Sequence, residues 1–330
     1  MKKMALHFEN LDEETVRCNL CPHRCVLKPG QKGLCRVRVN EGGVLVTLNY
    51  GEISAIAMDP IEKKPLFHFN PGDKILSVST VGCNLRCPFC QNWEIAHENP
   101  PTRRVTPEQL VRIALERGSK GIAYTYNEPI IWYEFVLDTS RIAVKEGLYN
   151  VLITNGYIEE EPLKLLLQSI HAMNIDLKGW NDEFYLKEIG GKKEVVMRTI
   201  EMAHEAGVHV EVTTLVIPGK NDDLEELEEE FKWLASIDPN IPLHLSRYFP
   251  HYKYTVPPTP PGKLIQIYEL AKKYLNFVYI GNLWMEEYES TVCPKCGSVV
   301  IRRRGYEVDA SGIDEEGRCK VCGFQIARIF

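Results

Sequence analysis

Short apolar runs alternate with longer amphipathic segments between residues 75 and 281. This alternation predicts parallel strands joined by helices, because strands covered on both faces read as continuous apolar runs. Two helices carry clear signals. Thr106 and Pro107 offer an N-cap and a first helical residue, and residues 222–236 keep their leucines and Phe231 on one stripe. The predicted strands are 75–80, 121–125, 150–154, 173–177, 208–217, 242–246 and 277–280.

About six or seven strand–helix units predict an α/β fold, a partial or closed βα barrel of the TIM type, with a doubly wound sheet as the alternative. Two regions lie outside the repeat. We therefore expect a cysteine-rich metal-binding region at 1–74, the barrel at 75–285 and a zinc ribbon at 286–330. In the first region, residues 44–48 and 53–58 predict a β-hairpin around Asn49-Tyr50-Gly51.

Charge and hydropathy narrow the functional classes. The 330-residue chain has a formal net charge of −6, which argues against a general nucleic-acid binder. It has no apolar run long enough to span a bilayer and no signal-peptide core near its start. We therefore expect a cytoplasmic protein without a membrane partner.

All eleven cysteines fall into three groups separated by long cysteine-free stretches. Such clustering, in a chain without a secretion signal, favours metal ligation over disulfides. The groups are Cys18, Cys21, Cys25 and Cys35; Cys83, Cys87 and Cys90; and Cys293, Cys296, Cys319 and Cys322.

The central group, Cys83-x3-Cys87-x2-Cys90, follows the first predicted barrel strand. Three thiolates in so short a loop can hold three irons of a [4Fe–4S] cluster and leave the fourth iron open. The alternative is a zinc site that borrows a fourth ligand such as His97. Position favours catalysis, because active sites of βα barrels lie at the carboxyl ends of the strands.

This motif, with Phe89 before its last cysteine, resembles the signature of the radical S-adenosylmethionine (SAM) superfamily. The resemblance implies an oxidoreductase in which Cys83, Cys87 and Cys90 are the catalytic cluster ligands. In that superfamily the cluster cleaves SAM reductively, and the 5′-deoxyadenosyl radical abstracts hydrogen from the substrate. Phe89 would border the adenine pocket.

Three further motifs resemble the pyruvate formate-lyase activating enzymes. Tyr126-Asn127-Glu128-Pro129 stands where that branch has a Gly-Gly-Glu-Pro-like motif, and Thr154-Asn155-Gly156 and Asp176-Leu177-Lys178 match it directly. Lys178 would pair with the SAM carboxylate. Ile153 replaces an aspartate of the branch's cation site, so that site is not expected. The branch also has a histidine near the sixth strand that contacts SAM, and the positions that could take its role here are His244 and Arg247. The other implied cofactor-binding residues are Phe89, Asn127, Glu128, Asn155, Asp176 and Lys178.

Five segments resemble more narrowly the radical SAM member of the AmmeMemoRadiSam system: CNLCPHRC, DPIEKKPLFHF, STVGCNLRCPFCQNW, AYTYNEP and HLSRYFP. Lys64, in the second segment, receives no role from this resemblance. The resemblances imply a low-potential electron donor of the flavodoxin or ferredoxin type and a partner-delivered or protein substrate, as in oxidation of a glycine to a glycyl radical. The alternatives are a small-molecule substrate, RNA, or a metal-organised module that binds without catalysis.

The two outer cysteine groups predict further metal sites. Cys293-x2-Cys296-Gly and Cys319-x2-Cys322-Gly are paired knuckles typical of a zinc ribbon, with a rubredoxin-like single iron as the alternative. Residues 302–304, three arginines between the knuckles, predict a solvated face, with docking of an acidic partner or RNA as the minority interpretation. The N-terminal group, Cys18 to Cys35, predicts either a zinc site or a second Fe–S cluster, and its spacing does not decide between them.

Overall fold

A computed structural model describes residues 2–330. Its largest sheet has eight strands, and the seven parallel ones follow one another in chain order. This order is that of a barrel and differs from a doubly wound sheet, in which the order reverses partway. The two ends of the sheet, Ala55–Pro60 and Val278–Gly281, stay apart, so the barrel is partial. The parallel strands are Lys74–Ser79, Gly121–Tyr124, Tyr149–Thr154, Ala172–Asp176, His209–Val216, Leu243–Arg247 and Val278–Gly281.

Each predicted strand is confirmed to within one residue at either end. The predicted helix start at Pro107 is also confirmed, and the helix predicted over 222–236 runs from Leu224 to Ile237. Thr106 and Gln109 form a reciprocal capping box, and Asp223 accepts hydrogen bonds from the amides of Glu225 and Glu226. The helices are Trp93–His97, Pro107–Glu116, Tyr133–Lys145, Glu160–Leu167, Asp182–Phe184, Lys193–Glu205, Leu224–Ile237, Pro261–Ala271 and Glu286–Glu289.

The hairpin predicted from residues 44–48 and 53–58 is wrong. Val44–Thr47 pairs with Arg38–Glu41, whereas Ala55–Pro60 joins the edge of the barrel sheet. The two segments join different sheets because the turn between them redirects the chain. A hydrogen bond from the Glu52 amide to the Asn49 carbonyl closes this turn.

The hairpin that does form turns at Gly42 and Gly43, which both have positive φ (62° and 83°). A two-residue hairpin turn of type I′ needs that conformation at both positions, and glycine adopts it most readily. The remaining strands form small sheets around the barrel: Lys3–Met4, Phe8–Asn10, Val16–Cys18, Val26–Leu27, Glu52–Ile53, Arg103–Arg104, Thr291–Val292, Val299–Arg304 and Glu307–Asp309.

Residues 65–69, which we call the barrel plug, close the floor of the partial barrel. The Asn174 side chain donates to the Pro65 carbonyl at 2.8 Å. The carboxylate of Glu211, the register partner of Asn174 on the next strand, accepts from the amides of Phe67 and His68 at 2.9 and 2.7 Å. Side chains of two barrel strands therefore hold the backbone of the plug.

The C-terminal ribbon packs against the plug and the last barrel strand. Arg303 is buried, donates to the Phe67 carbonyl at 2.6 Å, and lies 3.9 Å from the Glu62 carboxylate. The expectation that all three arginines are solvated is therefore wrong for Arg303, because the alternation of strand Val299–Arg304 turns it inward and its two neighbours outward. No helix among residues 2–330 is long and apolar enough to cross a membrane.

Candidate active site

A cavity of about 630 Å³ opens at the carboxyl ends of the parallel strands. The loop after the first parallel strand brings Cys83, Cys87 and Cys90 to its wall. The ends of later strands bring most of the residues that the sequence singled out. Those lining the cavity are Phe89, Asn127, Glu128, Asn155, Asp176, Lys178 and His244.

The three cysteines of the loop suit a cluster better than a single ion. Among residues 2–330, the C-terminal four form a group whose ligand atoms all lie within 4.8 Å of one another, and the central three do not form such a group. Thiolates that bind different irons of a cube are more widely spaced than ligands of one zinc. His97, the fourth ligand considered for zinc, stacks on Tyr252 instead.

Two neighbours orient the cysteine loop. The Leu85 amide donates to Cys83 Sγ at 3.4 Å, and the Asn155 side-chain amide approaches the same sulfur at 3.7 Å. Burial raises the pKa of Cys87 to about 11. The thiol is therefore protonated in the metal-free protein, and metal binding would have to displace its proton.

Glu128 joins the ends of two strands. Its carboxylate accepts from the Asn155 amide at 2.8 Å, from Thr154 Oγ1 at 2.7 Å and from the Ile130 amide at 2.9 Å. Burial raises the pKa of Glu128 to about 7, although these hydrogen bonds lower it. In this geometry Glu128 fixes the backbone that lines the cavity.

Lys178 and Asp176 form an ion pair at the end of the fourth parallel strand, with 2.9 Å between Nζ and Oδ2. The Lys178 amide donates to the Tyr185 hydroxyl at 2.9 Å, which fixes the turn after the strand. The ammonium therefore has a defined place in the cavity wall, facing the same space as the three cysteines.

The two candidates for a SAM contact on the sixth parallel strand, His244 and Arg247, lie in different surroundings. His244 lies in the cavity wall, and its Nε2 donates to Glu211 at 2.6 Å. Arg247 does not line the cavity, because Ser246 faces inward and the next residue of a strand points the other way. Its Nε donates to the Thr259 carbonyl at 2.8 Å, so the expectation of a SAM contact is not supported for Arg247.

Comparison with known proteins gives the family of this chain. Residues 77–234 match the sequence pattern of the Radical SAM superfamily. The chain is 45% identical over 329 residues to an uncharacterised protein of Methanocaldococcus jannaschii, covering 98% of both chains. The chain belongs to the radical SAM superfamily.

Two more distant radical SAM proteins extend the comparison. The pyruvate formate-lyase 1-activating enzyme of Escherichia coli is 28% identical over 150 residues, which is 43% of this chain and 61% of the relative. A radical SAM methyltransferase from Sphaerobacter thermophilus shares the fold with a TM-score of 0.51 at 16% identity, covering 84% of this chain and 76% of that one. The narrower resemblance to the AmmeMemoRadiSam member stays a prediction.

Membership of the radical SAM superfamily implies a [4Fe–4S] cluster and SAM as cofactors. The arrangement of cysteines in the cavity fits the cluster. The cavity also contains residues that sequence reasoning left without a role: Lys64, Tyr126 and Phe67, and the exposed aromatic side chains Trp284 and Tyr306 at its rim. They come from four separate parts of the chain, which no local motif could bring together.

The C-terminal cysteines of this radical SAM protein form a compact group that could bind one metal ion. The Cys293 and Cys322 sulfurs lie 3.5 Å apart, and those of Cys296 and Cys319 lie 3.7 Å apart. Four thiolates at about 2.3 Å from a tetrahedral zinc would be separated by about 3.8 Å. Gly297 and Gly323 make the knuckle turns that the sequence predicted, each with φ of 74°.

The N-terminal cysteines surround a separate small enclosed space. All four line it, together with Asn84 from the loop of the central cysteines. Like the central three, they fall outside the 4.8 Å spacing found at the C-terminal site. The Cys35 carbonyl lies 2.7 Å from the position that a Cβ on Gly82 would occupy, so the two cysteine loops are in direct contact.

Proposed function

We propose that this protein cleaves SAM reductively and that the resulting 5′-deoxyadenosyl radical removes a hydrogen atom from a substrate held in the same cavity. The observation that carries the proposal is the position of three cysteines and Lys178 in one cavity wall. Cys83, Cys87 and Cys90 would hold the cluster, which supplies the electron. Lys178, steadied by Asp176, would bind the SAM carboxylate, and the backbone fixed by Glu128 would align the amino group.

The cavity favours a small substrate or a narrow part of a larger one. Glu289, Gly305 and Tyr306 from the C-terminal region line the cavity, as does Trp284 just before it. This rim and the barrel plug both line the cavity. A walled site of this size suits a ligand enclosed on most sides better than a protein loop.

The second candidate is an activase that oxidises a glycine in a partner protein. It is favoured by the 28% identity to the pyruvate formate-lyase 1-activating enzyme of Escherichia coli. In that case the Trp284 and Tyr306 side chains would have to move or contact the incoming loop, because they stand at the rim.

Deuterium transfer distinguishes these functions. Anaerobically reconstituted protein should release 5′-deoxyadenosine from SAM on reduction, and mass spectrometry then reports the source of the abstracted atom. Deuterium from labelled small molecules supports the first candidate, and deuterium from a protein labelled at glycine supports the activase. Well-folded reconstituted protein that releases no 5′-deoxyadenosine would contradict both and favour a binding module.

We further propose that the N-terminal cysteines hold a second Fe–S cluster that passes electrons to the first. Two observations support this role: the four cysteines do not form a group within 4.8 Å as the C-terminal four do, and Cys35 contacts Gly82 in the loop of the central cysteines. The electron would come from a low-potential flavodoxin or ferredoxin. The C-terminal site, whose cysteines lie at zinc-like distances, would hold zinc.

Metal analysis tests this assignment. We expect about eight irons per chain after anaerobic reconstitution, four from each cluster, and about one zinc. The Cys21→Ala variant should lose about half of the iron and keep the zinc, whereas Cys319→Ala should lose zinc and keep the iron. Two zinc ions and four irons in the wild type would assign the N-terminal site to zinc.

A further inference from the structure

Tyr126 has a backbone conformation that is costly for its side chain. Its φ is +68°, in the left-handed region that glycine adopts freely and bulky residues rarely adopt. In the resembled motif this position is glycine. The chain therefore keeps the glycine conformation beside Asn127 and Glu128 but carries a large side chain there. Strained residues of this kind are concentrated at functional sites.

Two partners hold the Tyr126 side chain in place. Its hydroxyl donates to the Asp59 carboxylate, and the Lys64 ammonium lies 4.3 Å from the centre of its ring. Lys64 Nζ also donates to Asp59 Oδ2 at 2.6 Å. A backbone contact to SAM would need only a glycine at this position, so the side chain points to an additional role.

This cluster contains one more positive charge than negative charge. Lys63 and Lys64 both line the cavity, and both bind the single carboxylate of Asp59. The other cavity cation, Lys178, already has Asp176 as its partner. The Lys64 side chain is 2% exposed, and burial lowers its pKa to about 8, although Asp59 raises it. An ammonium so deeply buried is stabilised by each further oxygen acceptor that reaches it.

We propose that Lys64, positioned by Tyr126 and Asp59, binds an anionic group of the substrate, a carboxylate or a phosphate. This inference rests on the proposed function of the same cavity. A lysine has three N–H donors. Asp59 takes one of them, which leaves donors for an oxyanion. The hydrogen atom to be abstracted would then lie on a part of the substrate between this anchor and the cysteine wall.

The test measures binding without reduction, so that it does not depend on SAM cleavage. Propionate and ethyl phosphate are titrated by calorimetry into the reconstituted protein saturated with SAM. We expect at least one of them to bind, and Lys64→Met to weaken that binding by about tenfold or more, as loss of a charged hydrogen bond would do. Lys64→Arg should keep most of the affinity, because it keeps the charge.

Two further variants separate recognition from a structural role. Tyr126→Gly restores the glycine of the motif, and it should weaken anion binding while SAM affinity changes less than the anion affinity. Lys120→Met removes an exposed lysine that also pairs with an aspartate, 3.1 Å away, and it should leave anion binding intact. Absence of binding by both anions, or equal loss of SAM and anion affinity in the Lys64 and Tyr126 variants, would overturn the inference.

Release of 5′-deoxyadenosine is measured in parallel on reduced samples. Anion binding that depends on Lys64 in a protein that does not cleave SAM would overturn the proposed function and leave the anion site standing. SAM cleavage without anion binding would overturn the anion site and leave the proposed function standing. Preference for propionate or for ethyl phosphate assigns the anion as carboxylate or phosphate.

Discussion

Replacement of Cys87 by alanine should lower the rate of 5′-deoxyadenosine formation by about a thousandfold or more if the central cysteines hold the cluster, as loss of an essential catalytic group does. The physical reason is that three thiolates would anchor the cube, and alanine removes one of them. Product is measured by chromatography after reduction under anaerobic conditions. The part of the EPR signal that comes from the central cluster should be lost in the same samples, and the part from the proposed N-terminal cluster should remain.

Iron analysis provides the control for this variant. With a second cluster at Cys18, Cys21, Cys25 and Cys35, Cys87→Ala should keep about four irons per chain. The Lys120→Met variant, altered at an exposed lysine that does not line the cavity, should retain SAM cleavage. An active Cys87→Ala protein would show that the cluster has other ligands and would contradict the assignment of the site.

Replacement of Glu211 by alanine should lower the free energy of unfolding by about 4 kcal/mol or more. The buried carboxylate accepts four hydrogen bonds, from the amides of Phe67 and His68 and from the imidazoles of His209 and His244. Alanine would leave all four donors without this acceptor in a buried place. Urea unfolding of the reconstituted protein measures the change.

Glu230 offers a matched control, because it is also fully buried but accepts one hydrogen bond, from Thr214 at 2.5 Å. At about pH 4.5, where the buried Glu230 carboxyl is still protonated, Glu230→Gln should cost about 1 kcal/mol or less, and both variants are compared at this pH. Equal losses for the two variants would show that Glu211 does not fix the barrel plug.

The two glutamates also predict opposite pH dependences. Burial would raise the pKa of Glu211, but hydrogen bonds from His209 and His244 hold it well below the usual value. Its contribution to stability is therefore present above the unfolded pKa of about 4.5 and is lost as pH falls. Burial raises the pKa of Glu230 to about 8, so the protein loses stability as pH rises from about 4.5 towards 8, and Glu230→Gln should remove that dependence.

The barrel could be predicted because its signals are local. Each parallel strand is a short apolar run, and the helices Pro107–Glu116 and Leu224–Ile237 begin at caps that can be read from two or three neighbouring residues. The cysteine loop follows from spacing alone. These features depend on residues close together in the chain.

The plug and the deeper part of the site could not be predicted, since their contacts join distant residues. The Phe67 amide and the Glu211 carboxylate are 144 residues apart, and Lys64 meets Tyr126 only in the folded barrel. The burial of Arg303 likewise depends on which face of its strand meets the plug. The missed hairpin is different, because its Gly-Gly turn was visible in the sequence.

The barrel plug has a consequence for synthesis of the chain. The amides of Phe67 and His68 are synthesised 144 and 143 residues before Glu211, whose carboxylate binds them. His68 also contacts Ile326, which follows His68 by 258 residues. At about 5–20 residues per second, the ribosome needs roughly 7–30 s to bridge the first interval. During this time Leu66 and Phe69 cannot reach the barrel that later buries them. The floor of the active site is thus completed late, and its apolar residues stay available to chaperones or to aggregation until the barrel strands arrive.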